Sequence, residues 1–176
     1  MKKILLASLI AAATTSSFAA VTVPGGTVTI NGEITAGACA VSSDDANKIV
    51  TLDTVPTHKL IAAGTGNAVG SQKTFEIKLV DCDVSAAEKV SVSFSGMQVA
   101  GQPGLLANTA GVGSAQDVAI QLYDESGAEL ALGTASREYT LAQTTPMVFA
   151  ADYVALSADV TGGSVSAVAN FELAYQ

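Results

Sequence analysis

The chain holds one histidine, His58, and two cysteines, Cys39 and Cys82, and these have the widest chemical repertoire available to it. A Ser-His-Asp triad or a zinc site at His58 would need a second histidine or a cluster of thiolates, and two cysteines alone cannot build one. Thr57-His58-Lys59 therefore reads as a loop. The cysteines lack the C-x-x-C spacing of a redox pair and read instead as one disulfide, provided the chain is exported to an oxidising compartment. Three acidic pairs, Asp44-Asp45, Asp81/Asp83 and Asp124-Glu125, raise glycoside hydrolysis or calcium binding as chemistries. None has EF-hand spacing. Asp124-Glu125-Ser126-Gly127 is turn chemistry, and the other two pairs read as solvated flanks. The glycine-rich stretches Gly64–Gly70 and Gly111–Gly113 lack both the G-x-G-x-x-G spacing and a Walker lysine, so they read as loops rather than phosphate cradles. No catalytic constellation, metal site or cofactor is expected, and the chain reads as a non-enzyme.

The elements around these residues begin with the first stretch. Met1-Lys2-Lys3, the apolar run Ile4–Ala13 and the small residues Ser17 and Ala19 flanking Phe18 have the form of a secretory signal peptide cleaved after Ala19. That run falls short of the ~20 apolar residues of a membrane span, so no stable membrane insertion is expected. Cleavage leaves 157 residues (176 minus 19), the size of one domain, with 6 basic and 16 acidic side chains once Lys2 and Lys3 are gone. A net charge of −10 repels phosphate backbones and anionic lipid surfaces, which argues against a nucleic-acid partner. Apolar residues make up 49% and charged residues 14%, too apolar and too sparsely charged for disorder. Some of that apolar surface is expected to be covered by a partner.

Period-two alternation runs through the chain, and no long helical stripe appears. Strands are predicted over Lys48–Leu52, Thr74–Val80, Val90–Phe94, Val118–Tyr123, Met147–Leu156 and Val165–Tyr175, with loops over Ala62–Ser71, Ala100–Ala115 and Thr161–Ser164. This pattern describes an all-β antiparallel sandwich with no repeat and no interdomain linker. In the final segment Val165, Ala167, Ala169, Phe171, Leu173 and Tyr175 share one face. Near the other end, Val28, Ile30, Gly32 and Ile34 share a face across an arm, Ala20–Gly37, of 18 residues. Fully extended, the arm would reach about 60 Å, against a radius of gyration of about 15 Å for a domain of this size. It can therefore cross its own sheet or reach a neighbour's.

Several features, in order, resemble the pilin subunits of chaperone–usher fimbriae, type 1 major subunits among them. They are Gly25-Gly26-Thr27-Val28 followed by alternation to Gly32-Glu33-Ile34, then Ala38-Cys39-Ala40-Val41, Asp81-Cys82-Asp83, Gly163 near the C-terminus and the penultimate Tyr175. The resemblance covers the whole mature chain. It implies an incomplete immunoglobulin-like β-sandwich completed by a donated strand, with 1–19 as signal, 20–37 as N-terminal donor extension and 38–176 as the pilin domain. It implies that Val28, Ile30, Gly32 and Ile34 form the donated face, with Gly32 meeting a point that has no room for a Cβ. Phe171, Leu173 and Tyr175 would lie on the strand beside the groove, contacted first by a periplasmic chaperone, and Gly163 at its head. The partners implied are other copies of the chain, neighbouring pilins, the chaperone and an outer-membrane usher. The location implied is a surface fimbria, reached through the periplasm, that supports adhesion of the cell.

Competing readings remain at this point. A minor adaptor or terminator subunit of the same system would differ mainly in copy number, although a terminator should lack a usable donor arm. A self-complete periplasmic β-sandwich that binds a small ligand or carbohydrate would pair Val28–Ile34 as its own first strand, with Gly32 at a bulge. A secreted β-sandwich hydrolase lacks an acid/base pair to support it.

Overall fold

The computed structural model describes residues 27–30, 32, 34 and 37–176. The expected signal peptide 1–19 and most of the arm 20–37 lie outside them. The chain divides into two units, Met1–Ile34 and Thr35–Gln176.

The second unit opens with β1 (Ala40–Val41), α1 (Ser43–Ala46) and α2 (Thr57–Ala63). Next come β2 (Lys73–Val80), β3 (Lys89–Gly96), β4 (Gln98–Val99), β5 (Gln102–Ala107), β6 (Val118–Asp124) and β7 (Glu129–Leu130). The chain closes with β8 (Tyr139–Thr140), β9 (Thr145–Ala155) and β10 (Ala169–Tyr175). Among the described residues, one sheet runs β1-β2-β9-β6-β5-β4 with β7 also on β6, and the other runs β10-β3-β8. Every named strand pair is antiparallel. The fold is the β-sandwich that the alternation predicted.

Alternation also explains how the two layers bind. Ile77 and Leu79 on β2, Val90, Val92 and Phe94 on β3, and Met147 and Phe149 on β9 are all buried in one cluster between the sheets. Phe149 is the hub of that cluster. Its ring lies 5.0 Å from Phe94 on the opposite sheet, 5.9 Å from Phe75 and 6.2 Å from Tyr139. Edge-on and tilted ring pairs at such distances contribute beyond the area they bury.

Cys39 and Cys82 are joined in a disulfide. The bond ties the segment entering β1 to the end of β2, where β1 and β2 pair through Ala40↔Val80. Closing 43 residues contributes about 4 kcal/mol in the chain-entropy model. Cys39→Ser is therefore expected to lower the recovery of folded protein severalfold, measured as soluble protein after expression under disulfide-forming conditions; an unchanged yield would refute this role.

The structure departs from the predicted elements in several places. Lys48–Leu52 forms no strand. Val50 and Leu52 do turn inward as the alternation requires, but no backbone ladder meets the segment among the described residues. His58 lies not in a loop but exposed on α2, whose one buried residue is Leu60. Seven residues are too few to show a helical stripe. The predicted loop Ala100–Ala115 contains β5, concealed in sequence by Pro103 and Gly104. Strand β10 starts at Ala169 rather than Val165. Upstream of it, the Ser166 N–H bonds to Asn108 Oδ1 at 3.0 Å, and the Ser166 carbonyl accepts from the Thr109 N–H at 2.8 Å. The backbone there is committed to a neighbouring loop, so no ladder forms.

Candidate functional site

Sheet edges are costly to leave open, because a strand with a free side presents a row of unpaired backbone groups. On β3, the side away from β10 is covered. Strand β8 pairs with Lys89 and Val90, the Ser136 N–H donates to the Val92 carbonyl at 2.7 Å, and the Gly133 N–H donates to that of Phe94 at 2.7 Å.

Strand β10 is different. It pairs only with β3 among the described residues, through Ala169↔Gly96, Phe171↔Phe94 and Tyr175↔Val90. Just past its end, Gln176 and Lys89 exchange both backbone bonds, at 2.9 and 3.0 Å. Backbone direction alternates along a strand, so Ala174, Glu172 and Asn170 point their N–H and C=O groups at β3. The backbone groups of Tyr175, Leu173, Phe171 and Ala169 point to the open side. The side chains of these same four residues are half-buried against the main core, while Asn170, Glu172 and Ala174 are exposed. Val165 and Ala167 extend the half-buried row. An apolar row that is only half covered thus runs beside a line of unpaired peptide groups. The Tyr175 hydroxyl is buried without a hydrogen-bond partner among the described residues. Burial pushes its pKa up, and the Cys39 backbone tempers that rise without reaching hydrogen-bond geometry.

Gly163 sits where the chain approaches β10. A Cβ there would collide with the backbone of Ser114 and Ala115 and lie 2.6 Å from the Gly113 carbonyl oxygen. The close approach follows from a short parallel bridge, Ser114↔Ser164. Asn108 reinforces that junction, its amide donating to the carbonyls of Ala115 at 2.9 Å and Ser164 at 3.1 Å.

The edge of β2 is covered in part, by other means. Strand β1 pairs with it at only two positions. Beyond these, the Lys78 N–H donates to Asp45 Oδ2 at 2.8 Å, and Lys48 Nζ donates to the Glu76 carbonyl at 2.7 Å. Lys48 also forms an ion pair with Asp45. Burial pushes the Asp45 pKa up, but the bonds from Lys48 and the Lys78 N–H, with the charges of both lysines, outweigh it and hold the carboxyl below its usual value. Asp45 was expected to be solvated; it is in fact buried and paired. Its partners on β2 lie about thirty residues away, beyond any local pattern. Asp152 was likewise missed. It is fully buried on β9 and accepts from the N–H groups of Gly70 and Ser71 at 2.8 and 2.9 Å and from the Ser71 hydroxyl at 3.0 Å, tying that loop to the sheet.

In the first unit, the side chains of Val28, Ile30 and Ile34 are 84, 89 and 100% exposed, and a Cβ on Gly32 would meet nothing within 4 Å. None of these residues belongs to a strand. Three aliphatic side chains spaced two and four residues apart are thus left facing solvent.

Among the described residues, no group of three or more His, Cys, Asp or Glu side chains is arranged to hold a metal, and no helix is long and apolar enough to cross a membrane. The Asp124 turn forms as expected, with its carboxylate accepting from the Ser126 N–H at 2.8 Å.

A sandwich whose β10 edge is open and apolar-lined among the described residues has the form of an incomplete β-sandwich subunit. The solved P pilus rod subunit superposes with a TM-score of 0.66 at 26% identity, over 80% of this chain and all of that one. A chaperone–usher pilus subunit, from a structure that addresses rod uncoiling, superposes with a TM-score of 0.71 at 28% identity, over 89% of this chain and all of that one. The sequence profile of the fimbrial protein family matches residues 28–176, and the chain belongs to that family. It is 39% identical over 179 residues to the type-1 fimbrial protein A chain of Escherichia coli K12, covering 98% of this chain and 96% of the relative. It is 36% identical over 178 residues to the probable major fimbrial subunit of Escherichia coli O157:H7, covering 100% and 98%. The protein is a fimbrial subunit with the chaperone–usher pilin fold, and its family is one of structural subunits rather than enzymes.

Proposed function

We propose that this subunit builds the fimbrial rod by donor-strand exchange. Residues 1–19 direct export and are removed, 20–37 form the donated extension, and 38–176 form the receiving domain. The reading is carried by the open edge of β10, where unpaired backbone and a half-covered apolar row lie side by side. A β-strand laid there would satisfy both at once. The periplasmic chaperone supplies such a strand during transit. At the outer-membrane usher it is replaced by the arm of the next copy, so the product is a polymer on the cell surface. Val28, Ile30 and Ile34 supply the apolar face of the donated strand, and burying them contributes on the order of 5–9 kcal/mol before backbone bonds are counted. Phe171, Leu173 and Tyr175 line the receiving side, with Gly163 shaping its head.

Gly32 is the point of closest approach between donor and groove. Gly32→Leu is expected to slow assembly at least about tenfold while leaving the same subunit able to receive a strand, measured as the growth of multimers from chaperone-bound subunits. Equal growth rates would remove Gly32 from the donated face. The overall reading is tested on fimbriae sheared from the surface and run unheated in detergent. A ladder of multimers that collapses on boiling is expected from a kinetically trapped polymer; a lone monomer band would overturn it.

A further inference from the structure

The segment after α1 has the alternation of a strand and lies along a strand, yet it joins no ladder among the described residues. Lys48 reaches Glu76, and Asp53 lies 3.5 Å from Lys73, so residues 48–53 track β2 back along its length. Val50 and Leu52 face inward, and Leu52 packs against the same core cluster as the β10 row. The backbone of 48–52 nonetheless makes no ladder bond among the described residues.

What holds it off is visible on β2. After the Ser42 N–H donates to the Lys78 carbonyl at 2.9 Å, a continuing β1 would next offer a carbonyl to the Lys78 N–H. The chain turns away instead. The Ser42 carbonyl is taken by the N–H groups of Asp45 and Ala46, at 2.9 and 3.0 Å, which start α1. The Asp45 carboxylate accepts from Lys78 in place of that carbonyl, and the Lys48 ammonium donates to Glu76 where a backbone N–H would have done so. Two side chains thus serve the Lys78 N–H and the Glu76 carbonyl, the first groups that the departing backbone leaves. A carboxylate placed so deeply needs partners, and here all of them serve this one junction.

We propose that Asp45 and Lys48 are positioning residues for strand uptake: by ending the β1–β2 ladder with side chains, they keep 48–52 unpaired as a second edge for the incoming strand. The proposal rests on the donor-strand reading. It assigns these two residues a task at the receiving site, although neither touches β10. Without them, the alternating segment would close onto the β2 edge near Thr74–Lys78 and withdraw its backbone from the arriving arm.

The test is amide hydrogen exchange on the full-length, disulfide-bonded chain, before and after assembly. In the unaltered chain, 48–52 should exchange freely before assembly and slow afterwards. In Asp45→Ala the same amides should already be slowed about tenfold before assembly, and polymer growth should fall by a similar factor. Asp45→Asn keeps an oxygen for the Lys78 N–H and should behave like the parent. Removing a merely structural contact would speed exchange around it, so slowing at 48–52 is the diagnostic direction. Should Asp45→Ala fail to fold, Lys48→Ala, which frees the Glu76 carbonyl and removes the ion pair to Asp45 but leaves the Asp45 carboxylate on the Lys78 N–H, should show a smaller shift of the same sign. If neither variant slows exchange at 48–52, the proposal is overturned. Failure of the donor reading itself would look different: the Phe171 and Leu173 amides would stay unprotected in the assembled parent.

Discussion

A chain lacking Val21–Ile34 is expected to fold, to be carried by its chaperone and to join no further copy. The receiving domain keeps its disulfide, its core around Phe149 and its open β10 edge, because all of these lie in Thr35–Gln176. What disappears is the row Val28, Ile30 and Ile34. In the proposed joint its burial would be worth on the order of 5–9 kcal/mol, and at about 1.4 kcal/mol per factor of ten, losing even the lower figure would weaken a joint by more than about a thousandfold. The measurement is a comparison of sheared surface protein with the chaperone-bound pool: multimers should vanish while the pool persists. Assembly of the shortened chain into rods would show that the joint is made elsewhere.

The features legible in sequence are those set by side-chain parity. The periods around Phe75–Leu79, Val90–Phe94, Val118–Leu122 and Met147–Phe149 each became a buried strand face, because one covered layer is enough to fix which residues turn inward. The parity of Val165–Tyr175 survives even where the ladder does not, since Val165 and Ala167 still pack on the core. Strand pairing, by contrast, depends on which backbone arrives alongside. Val50 and Leu52 alternate as well as any strand, yet β2 is already satisfied there by Asp45 and Lys48. Those two residues, and Asp152 with its loop, depend on partners about thirty to eighty residues away, and no local pattern announces them. The open edge is hidden for a related reason. Sequence shows a terminal strand, but only the fold shows that no described strand lies on its far side.

Phe149 and Phe171, whose rings lie 5.0 and 6.4 Å from that of Phe94, should therefore respond differently to truncation. Phe149 is wholly buried, with rings from both sheets around it. Phe149→Ala should destabilise the unassembled subunit by about 3–5 kcal/mol, since the cavity lies where neither sheet can collapse into it. That corresponds to a fall in melting temperature of roughly 10 °C for a domain of this size. Phe171 is only half-buried, because its outer side faces the open edge. Phe171→Ala should cost the isolated subunit much less, about 1–2 kcal/mol, since only the covered part of the ring is removed from apolar surroundings. In the proposed polymer Phe171 would gain on that baseline and Phe149 would not: a donated strand would cover the remaining half of Phe171 but add nothing around Phe149. Thermal denaturation of the unassembled chain and the temperature at which detergent-resistant multimers collapse separate the two. Phe149→Ala should lower the first far more than Phe171→Ala, and Phe171→Ala should lower the second by more than its effect on the first. If the collapse temperature simply follows subunit stability for both variants, Phe171 gains no new neighbour on assembly, and the strand is not received at β10.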